Sequence, residues 1–457
     1  MHRTALSLVI IGLFALPGVS AANELLDLYH QAQDQDTTLK AAKFQRDAAV
    51  EVRPQALSAL LPQLNAETGL TRTRNEITTT TTRIITDPTN PAASVTTSST
   101  FSYYNTNNNY QVTLSQSIWS FENFRRLKEA SVQVAQAEAS YRSTQQALIL
   151  RVAQAYFNVL AAIDTVRTNK AERSANDRQL QQAKKRFDVG LAAITDVQEA
   201  QASYDTSNAT LIASERTLSN AKRALSEITG QYHDSVGQTL REEIPLASPN
   251  PVAADAWVDA ARKENYDVQA AQLQAEAAQK NIGVLRARHL PTLDLQGSYG
   301  VSDNSSNFNS DSSSGSVGLR LTIPIFSGGN TSSLVRQANA TYEQNRASAE
   351  GMVRSVERQT RDAYEGVISG IASVQANQQS VKSNQTALDS SQLGLQVGTR
   401  TEVDVLNALR NLFVAQRTFY QSRYDYLLSV LTLKQQAGRL TENDLSEVDG
   451  LLVPASE

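Results

Sequence analysis

The sequence is poor in the residues that build covalent bridges and metal sites. It has no cysteine and four histidines in 457 residues. Without cysteine the chain has no disulfide bond, no thiolate metal site and no lipid-bearing N-terminal cysteine. His30, His233 and His289 lack metal-ligand spacing, and no P-loop lysine follows Gly328 and Gly329. We therefore expect no metal, no cofactor and no enzymatic activity.

Positive charge and long apolar runs are scarce as well. The formal net charge of -4 leaves no basic face for nucleic acid. After the first residues no apolar run reaches ~18 residues, so no transmembrane helix is expected. At the N-terminus, His2 and Arg3 precede a short apolar run that ends in small residues at Ala21 and Ala22. This order is typical of a secretory signal peptide, which we place at residues 1–22.

Proline is also scarce, and its absence marks where long helices can form. The tracts 92–244 and 325–453 contain none of the eleven prolines. Because a proline inside a helix costs about 3 kcal/mol, these tracts favour uninterrupted helices. The sequence predicts an antiparallel helical hairpin in each tract, over about 127–228 and over about 333–440.

A short turn, written twice, lies at the tip of each predicted hairpin. In both copies a Val-Gly step precedes the second helix, as Val189-Gly190 and Val397-Gly398. Glycine ends a helix in the left-handed conformation at little cost. Thr195 in one copy, or Thr401 in the other, can then begin the return helix. The tips are therefore placed at 190 and 398.

Between the helices the hydrophobic period changes to two, which is typical of strands. The predicted strands are about 63–73, 107–119, 292–302 and 315–326. The polar segment 75–109 between the first two is predicted as an exposed hairpin loop. The order of helix, strand hairpin and helical hairpin occurs twice, which predicts two tandem structural repeats at 23–242 and 243–457.

The predicted strands have the length and alternation of a membrane barrel wall. Four strands cannot close a barrel, and open edges do not occur in hydrocarbon, so several copies must join to form a barrel in contact with lipid. The strand number alone does not choose between three copies and four. Aromatic residues beside the strand ends would form an interfacial belt: Trp119, Phe121, Phe124 and Phe326. The alternative is two hairpins packed on a soluble helical domain.

Several stretches resemble the TolC family of outer-membrane channel proteins. They are 155–160, 186–197, 289–295 and 397–406, and the likeness covers essentially the whole chain after the signal peptide. The resemblance implies a mainly α fold with a membrane β part: a homotrimer with a 12-stranded barrel that continues into a periplasmic helical barrel. It also implies a passive exit duct for drug efflux or type I protein secretion. Its partners would be a periplasmic adaptor and an inner-membrane transporter of the RND, ABC or MFS type.

The resemblance also assigns roles to residues at the tips. Thr195 and Asp196 match gate positions of the first hairpin, and Arg400 matches the arginine that links to them. Asp404 matches one aspartate of an acidic ring at the entrance. The adaptor would contact the tip turns at Val189, Gly190, Val397 and Gly398.

Two tip positions depart from the family pattern. Leu395 replaces a gate tyrosine, and Asn407 replaces the second aspartate of the ring. Glu402 is two residues from Asp404, so we expect its side chain to face a different side of the helix. We therefore expect weaker cation block than in relatives with both aspartates. Without the resemblance to the family, the simplest interpretation is that these charged side chains are solvated on the surface of a helix tip.

A second class of protein would share the helical hairpins. A periplasmic coiled-coil adaptor or structural protein, without a pore, needs no amphipathic strand hairpins. The four alternating strands therefore favour the channel over this alternative.

Overall fold

The computed structural model describes residues 24–84, 94–233, 238–305 and 310–454. The predicted signal peptide at 1–22 lies outside the described residues. Two long helical pairs dominate: α4 (Phe121–Asp188) with α5 (Ile194–Thr229), and α8 (Asn330–Gln396) with α9 (Glu402–Gln436).

Shorter helices and strands complete the chain. The shorter helices are α1 (Glu24–Gln35), α2 (Thr37–Val50), α3 (Val52–Ser58), α6 (Ala254–Glu264), α7 (Tyr266–Ala287) and α10 (Glu442–Asp449). The strands are β1 (Gln63–Ile84), β2 (Ser94–Ser120), β3 (Gln238–Leu240), β4 (Thr292–Ser305), β5 (Ser310–Thr322) and β6 (Leu452–Pro454).

The ends of the long helices differ from the predicted ones for local reasons. α4 begins at Phe121 rather than near 127, because the Ser120 hydroxyl accepts a hydrogen bond from the Asn123 amide at 3.3 Å and caps the helix. α9 ends at Gln436 rather than near 440. There Gly438 takes φ +74°, which ends the helix in the left-handed conformation.

The first strand hairpin is longer than predicted, and the prediction of a loop over 75–109 is wrong. β1 extends to Ile84 and β2 begins at Ser94. A polar composition predicts a loop, but threonine is β-branched and favours strands. Its hydroxyls also pair across the ladder, as between Thr78 and Thr100 at 3.1 Å. The predicted loop segment 85–93 lies outside the described residues.

The second strand hairpin also has different bounds. β4 continues to Ser305, beyond the predicted end at 302. β5 starts earlier, at Ser310, and ends at Thr322 rather than 326. Pro324 has no backbone N–H to donate to the ladder, which explains the earlier end.

The four long strands form one antiparallel sheet in the order β1-β2-β4-β5. Its register aligns Leu64 with Leu114, Leu114 with Gly297, and Gly297 with Val317. Because alternate residues of a strand face opposite sides of the sheet, this register fixes the face on which each residue of the four strands lies. The face of Leu64 also carries Leu70, Val112, Tyr299, Val301, Leu319 and Leu321. The opposite face carries Asn65, Glu67, Gln111, Thr113, Gln296, Ser298 and Ser316.

One face of this sheet is therefore apolar and the other is polar. The apolar face is exposed, with Leu64 70% and Val317 83% accessible. In the described residues, β1 and β5 each pair with one strand only, so both edges of the sheet are free in a single chain. Such a sheet needs a partner for its edges and an apolar medium for one face.

The chain divides into two compact units that both draw on the two halves of the sequence. One unit contains the strand sheet, in Asp47–Ala137 and Gln272–Ser348. The other contains the hairpin tips, in the residues up to Arg46, Glu138–Ala271 and the residues from Ala349 onward. Neither unit corresponds to one of the two predicted sequence repeats, 23–242 and 243–457. The repeats therefore stay a prediction about the order of helices and strands along the chain.

The core of the unit with the tips joins helices from both halves. Tyr156 of α4 and Tyr424 of α9 are almost fully buried. The Tyr424 hydroxyl donates to the buried Asp164 carboxylate at 2.7 Å. Burial raises the pKa of Asp164, although the hydrogen bond from Tyr424 opposes that shift. The antiparallel strands β3 and β6 lie against this core.

Among the described residues, one helix is long and apolar enough to cross a membrane by composition. It is α4, and 56% of the relevant window is buried inside the protein. The window passes on its mean hydropathy and is not an uninterrupted apolar run, so the expectation of no transmembrane helix stays a prediction. A buried helix in a large core has the same composition, so the window carries no argument for a membrane span.

Candidate functional site

The first tip is a tight glycine turn after α4. Gly190 has φ +76°. Its amide donates to the Phe187 carbonyl at 2.9 Å, and the Leu191 amide donates to the Arg186 carbonyl at 2.7 Å. These bonds satisfy the last carbonyls of α4 and direct the chain into α5.

The second tip has the same glycine and an additional one. Gly398 has φ +79°, and the Thr399 amide donates to the Gly394 carbonyl at 2.8 Å. The side chain of Arg400 folds over Gly394, where a methyl group would lie 2.5 Å from the Arg400 Cγ. Gly394 is thus a part of this turn that sequence reasoning missed.

The two return helices begin differently. Thr401 caps α9: its hydroxyl accepts from the Asp404 amide at 3.2 Å, and the Asp404 carboxylate accepts from the Thr401 amide at 2.9 Å. Before α5 the capping position is Ala193, whose amide donates to Asp196 at 3.2 Å. The prediction that Thr195 begins this helix is wrong, because it is the second residue of α5 and its exposed side chain caps nothing.

This difference predicts opposite effects for two substitutions. Thr401→Ala removes the side-chain acceptor, and we expect the α9 tip to lose about 1 kcal/mol. Ala193→Thr adds the missing acceptor beside Asp196 and should stabilise the α5 tip by about 0.5–1 kcal/mol. Amide hydrogen exchange of peptides spanning each tip measures both effects. Faster exchange at the first tip of Ala193→Thr would contradict the assignment of Ala193 as the cap.

The predicted gate residues of the second hairpin lie close together. The guanidinium of Arg400, in the turn before α9, is 4.0 Å from the carboxylate of Asp404 in the first turn of that helix. Asn407 accepts a hydrogen bond from Arg410 at 2.9 Å. Hydrogen bonds from the Thr401 amide and hydroxyl hold the pKa of Asp404 below its usual value. Among the described residues no hydrogen bond or ion pair joins Arg400 to Thr195 or Asp196 within one chain.

Leu395 belongs to a buried apolar cluster with members from both hairpins. The cluster also contains Val405 and Leu409 of the second hairpin and Ala175 of the first. A leucine therefore supplies packing where a tyrosine hydroxyl would supply a hydrogen bond.

Glu402 is a further tip residue that sequence reasoning missed. Its side chain is 4% exposed, and its carboxylate lies 3.9 Å from the Arg186 guanidinium of α4. The signal for its burial was in the helical period, since Glu402, Leu406 and Leu409 follow each other at four and three residues. Glu402 thus faces the first hairpin instead of the solvent.

The turns themselves present apolar side chains to solvent. Val189 is 69% exposed, Leu191 72% and Val397 74%. Exposed apolar residues clustered at a helix tip are typical of a protein–protein contact.

Comparison with known proteins identifies the family. The family described as Outer membrane efflux protein matches residues 28–231 and 257–439. The chain belongs to this family. The outer membrane protein TolC of Vibrio cholerae serotype O1 is 36% identical over 442 residues, 95% of each chain. The alkaline protease secretion protein AprF of Pseudomonas aeruginosa is 29% identical over 93% of this chain and 86% of AprF.

The fold of the outer membrane efflux proteins agrees with the structure. The outer membrane protein VceC from Vibrio cholerae has a TM-score of 0.72 at 22% identity, covering 91% of this chain and 96% of VceC. The resemblance to the TolC family and the mainly helical fold with an antiparallel strand part are therefore confirmed.

As a member of this family, the chain is an outer-membrane channel protein of the kind that serves efflux and secretion. Proteins of the family act together with efflux pumps and secretion systems. Its relatives are channel proteins. The exposed apolar face of the strand sheet fits a wall that contacts lipid.

Proposed function

We propose that the protein is a homotrimeric exit duct whose three four-stranded sheets close one 12-stranded barrel in the outer membrane. The observation that carries the proposal is the sheet itself, with one apolar face, one polar face and two free edges. Unpaired backbone groups are costly in hydrocarbon, so each β1 edge must meet the β5 edge of another copy. The helical hairpins then form a helical barrel on the periplasmic side.

The hairpin tips form the entrance of the duct. Val189, Gly190, Val397 and Gly398 would contact a periplasmic adaptor, and the exposure of both valines supports that contact. An inner-membrane transporter of the RND, ABC or MFS type would select and energise the cargo. The duct itself is passive, and it serves drug efflux, type I secretion or both.

The gate is assigned to the second hairpin acting against the first. Three copies of Asp404 would narrow the entrance with negative charge, since its carboxylate is part-exposed beside Arg400. Thr195 and Asp196 of one copy would accept bonds from Arg400 of a neighbouring copy. Leu395 and Asn407 make the gate less polar than in relatives that have tyrosine and aspartate at these positions.

The barrel is tested by adjacent residues on opposite faces of β5. Val317→Lys places a charge on the apolar face, where we expect a cost of about 2–4 kcal/mol in lipid. The matched control, Ser316→Lys, places the same charge on the polar face. We expect heat-modifiable oligomers and planar-bilayer conductance from the wild type and Ser316→Lys, and a strong loss of both from Val317→Lys. A soluble monomer without conductance in all three proteins would overturn the channel and favour a periplasmic adaptor.

The partners are tested by crosslinking in cells. Because the sequence has no cysteine, Val189→Cys and Val397→Cys each introduce a single reactive thiol. Crosslinked products from these tips should contain an adaptor protein, whereas the exposed position Ile212→Cys on α5 serves as a control for random capture. Identical products from the tips and from the control would contradict the assignment of the tips.

A further inference from the structure

Glu402 is a buried charged group that the proposed gate does not use. It begins α9 and packs against the hairpin formed by α4 and α5. The apolar contact beside it includes Leu406 of α9, Ala183 of α4 and Ala200 of α5. The carboxylate therefore lies where the second hairpin of the chain meets the first.

The charge of Glu402 is incompletely balanced by its neighbours. Arg186 of α4 lies 3.9 Å away, which is too far for a hydrogen bond. The other carboxylate oxygen, Oε1, is buried without a hydrogen-bond partner. Asp196 of α5 faces the site with the same sign of charge. At the start of α9, the exposed side chains of Asp404 and of Arg400, which precedes the helix, lie 4.0 Å apart.

A buried carboxylate with one distant cation stays costly to ionise. Moving a carboxylate out of water costs more free energy than an imperfect ion pair contributes. Burial accordingly raises the pKa of Glu402, Asp196 adds to the rise, and Arg186 opposes it. Protonation would remove the charge and leave a neutral group in the same contact.

We propose that Glu402 is a positioning residue that makes the contact between α9 and the α4–α5 hairpin depend on its protonation. Protonated Glu402 favours the closed contact, and ionised Glu402 favours separation of the two hairpins. This inference rests on the proposed function in one respect: it takes the separation of the two hairpins as the step that widens the entrance.

The direction of the pH dependence follows from proton linkage. Separation exposes Glu402 to water and returns its pKa toward the usual value of 4.5. Separation therefore releases a proton, and it becomes easier as the pH rises through the raised pKa. Asp404 stays ionised in this range because its pKa is lowered. The closed contact should be most stable in mild acid and weaken toward neutral pH.

The contact itself is measured by the distance between the two tips. Spin labels at Leu191→Cys and Val397→Cys, both exposed, report that distance by double electron–electron resonance. We expect the fraction of the longer distance to increase at least about threefold between pH 5 and pH 7.5, since one pKa unit changes an equilibrium about tenfold. The increase should vanish in Glu402→Gln and remain in Glu199→Gln, the same change on the exposed surface of α5.

Arg186→Gln separates an electrostatic role from a purely structural one. Without the cation the pKa of Glu402 rises further, so the transition should move to higher pH instead of disappearing. An unchanged pH profile in Glu402→Gln, or the opposite direction in the wild type, would overturn the proposal. The distance measurement does not require conduction. If the distance between the tips depends on pH but the protein does not conduct, the channel gate is rejected and the role of Glu402 stands. If the protein conducts but the distance does not change with pH, the role of Glu402 is rejected.

Discussion

Replacing Asp404 with asparagine is expected to remove most of the block that divalent cations impose on the channel current. In the proposed trimer three of these carboxylates meet at the entrance. Hydrogen bonds from Thr401 lower the pKa of Asp404, so the charge persists at neutral and mildly acidic pH. Asparagine keeps the shape and one acceptor oxygen but has no charge. We expect the cation concentration for half block to rise about tenfold, equivalent to ~1.4 kcal/mol.

Asp205→Asn is the control for this experiment. Asp205 is exposed on α5 and has no place in the proposed gate, and its substitution removes the same charge. Single-channel recordings with added magnesium or calcium should show nearly normal block in Asp205→Asn. Equal block in wild type and Asp404→Asn would remove Asp404 from the entrance.

The same recordings test the departure at position 407. Asn407→Asp restores a second carboxylate one turn after Asp404, and it should strengthen the block. Arg410 already donates to this position at 2.9 Å and would partly neutralise the new charge. The gain should therefore be smaller than the loss in Asp404→Asn.

Replacing Gly438 with alanine should be among the most destabilising single changes in this chain. Gly438 has φ +74°, and an added methyl group would overlap the Glu264 carbonyl oxygen and lie 2.7 Å from the Asn265 amide nitrogen. Both obstacles are backbone atoms, which cannot rotate away as a side chain does. We expect a loss of more than about 3 kcal/mol, the sum of left-handed strain and a backbone clash.

Gly190→Ala is the control that separates strain from collision. Gly190 has nearly the same φ, +76°, but no atom lies within 4 Å of the added methyl group. It should therefore cost about 1–2 kcal/mol, the price of left-handed backbone alone. Thermal unfolding of the detergent-solubilised protein compares the two. Similar melting temperatures of Gly438→Ala and Gly190→Ala would contradict this prediction, because the backbone around Glu264 would then have moved to accommodate the methyl group.

The lengths and order of the long helices could be predicted from the sequence because they depend on local properties. Two proline-free tracts permitted them, and a glycine that takes positive φ ended each one before the turn. The alternation along Leu64, Ala66 and Leu70 likewise indicated the strands. The strand ends were harder to predict. The threonine-rich part of β1 resembles a loop in composition, and cross-strand hydroxyl pairs such as Thr78 with Thr100 form only in the folded hairpin.

The sequence by itself determined that this chain has two helical hairpins with glycine tips and amphipathic strands. Those features depend on residues that are close together along the chain. The helical period placed Glu402 on the buried side of α9, but tertiary structure alone decided its charged neighbours, Arg186 and Asp196, more than 200 residues away. Tertiary structure also decided that Leu395 shares an apolar cluster with Ala175 of the other hairpin. Desolvation and packing are properties of surroundings that distant residues supply, so no local pattern specifies them.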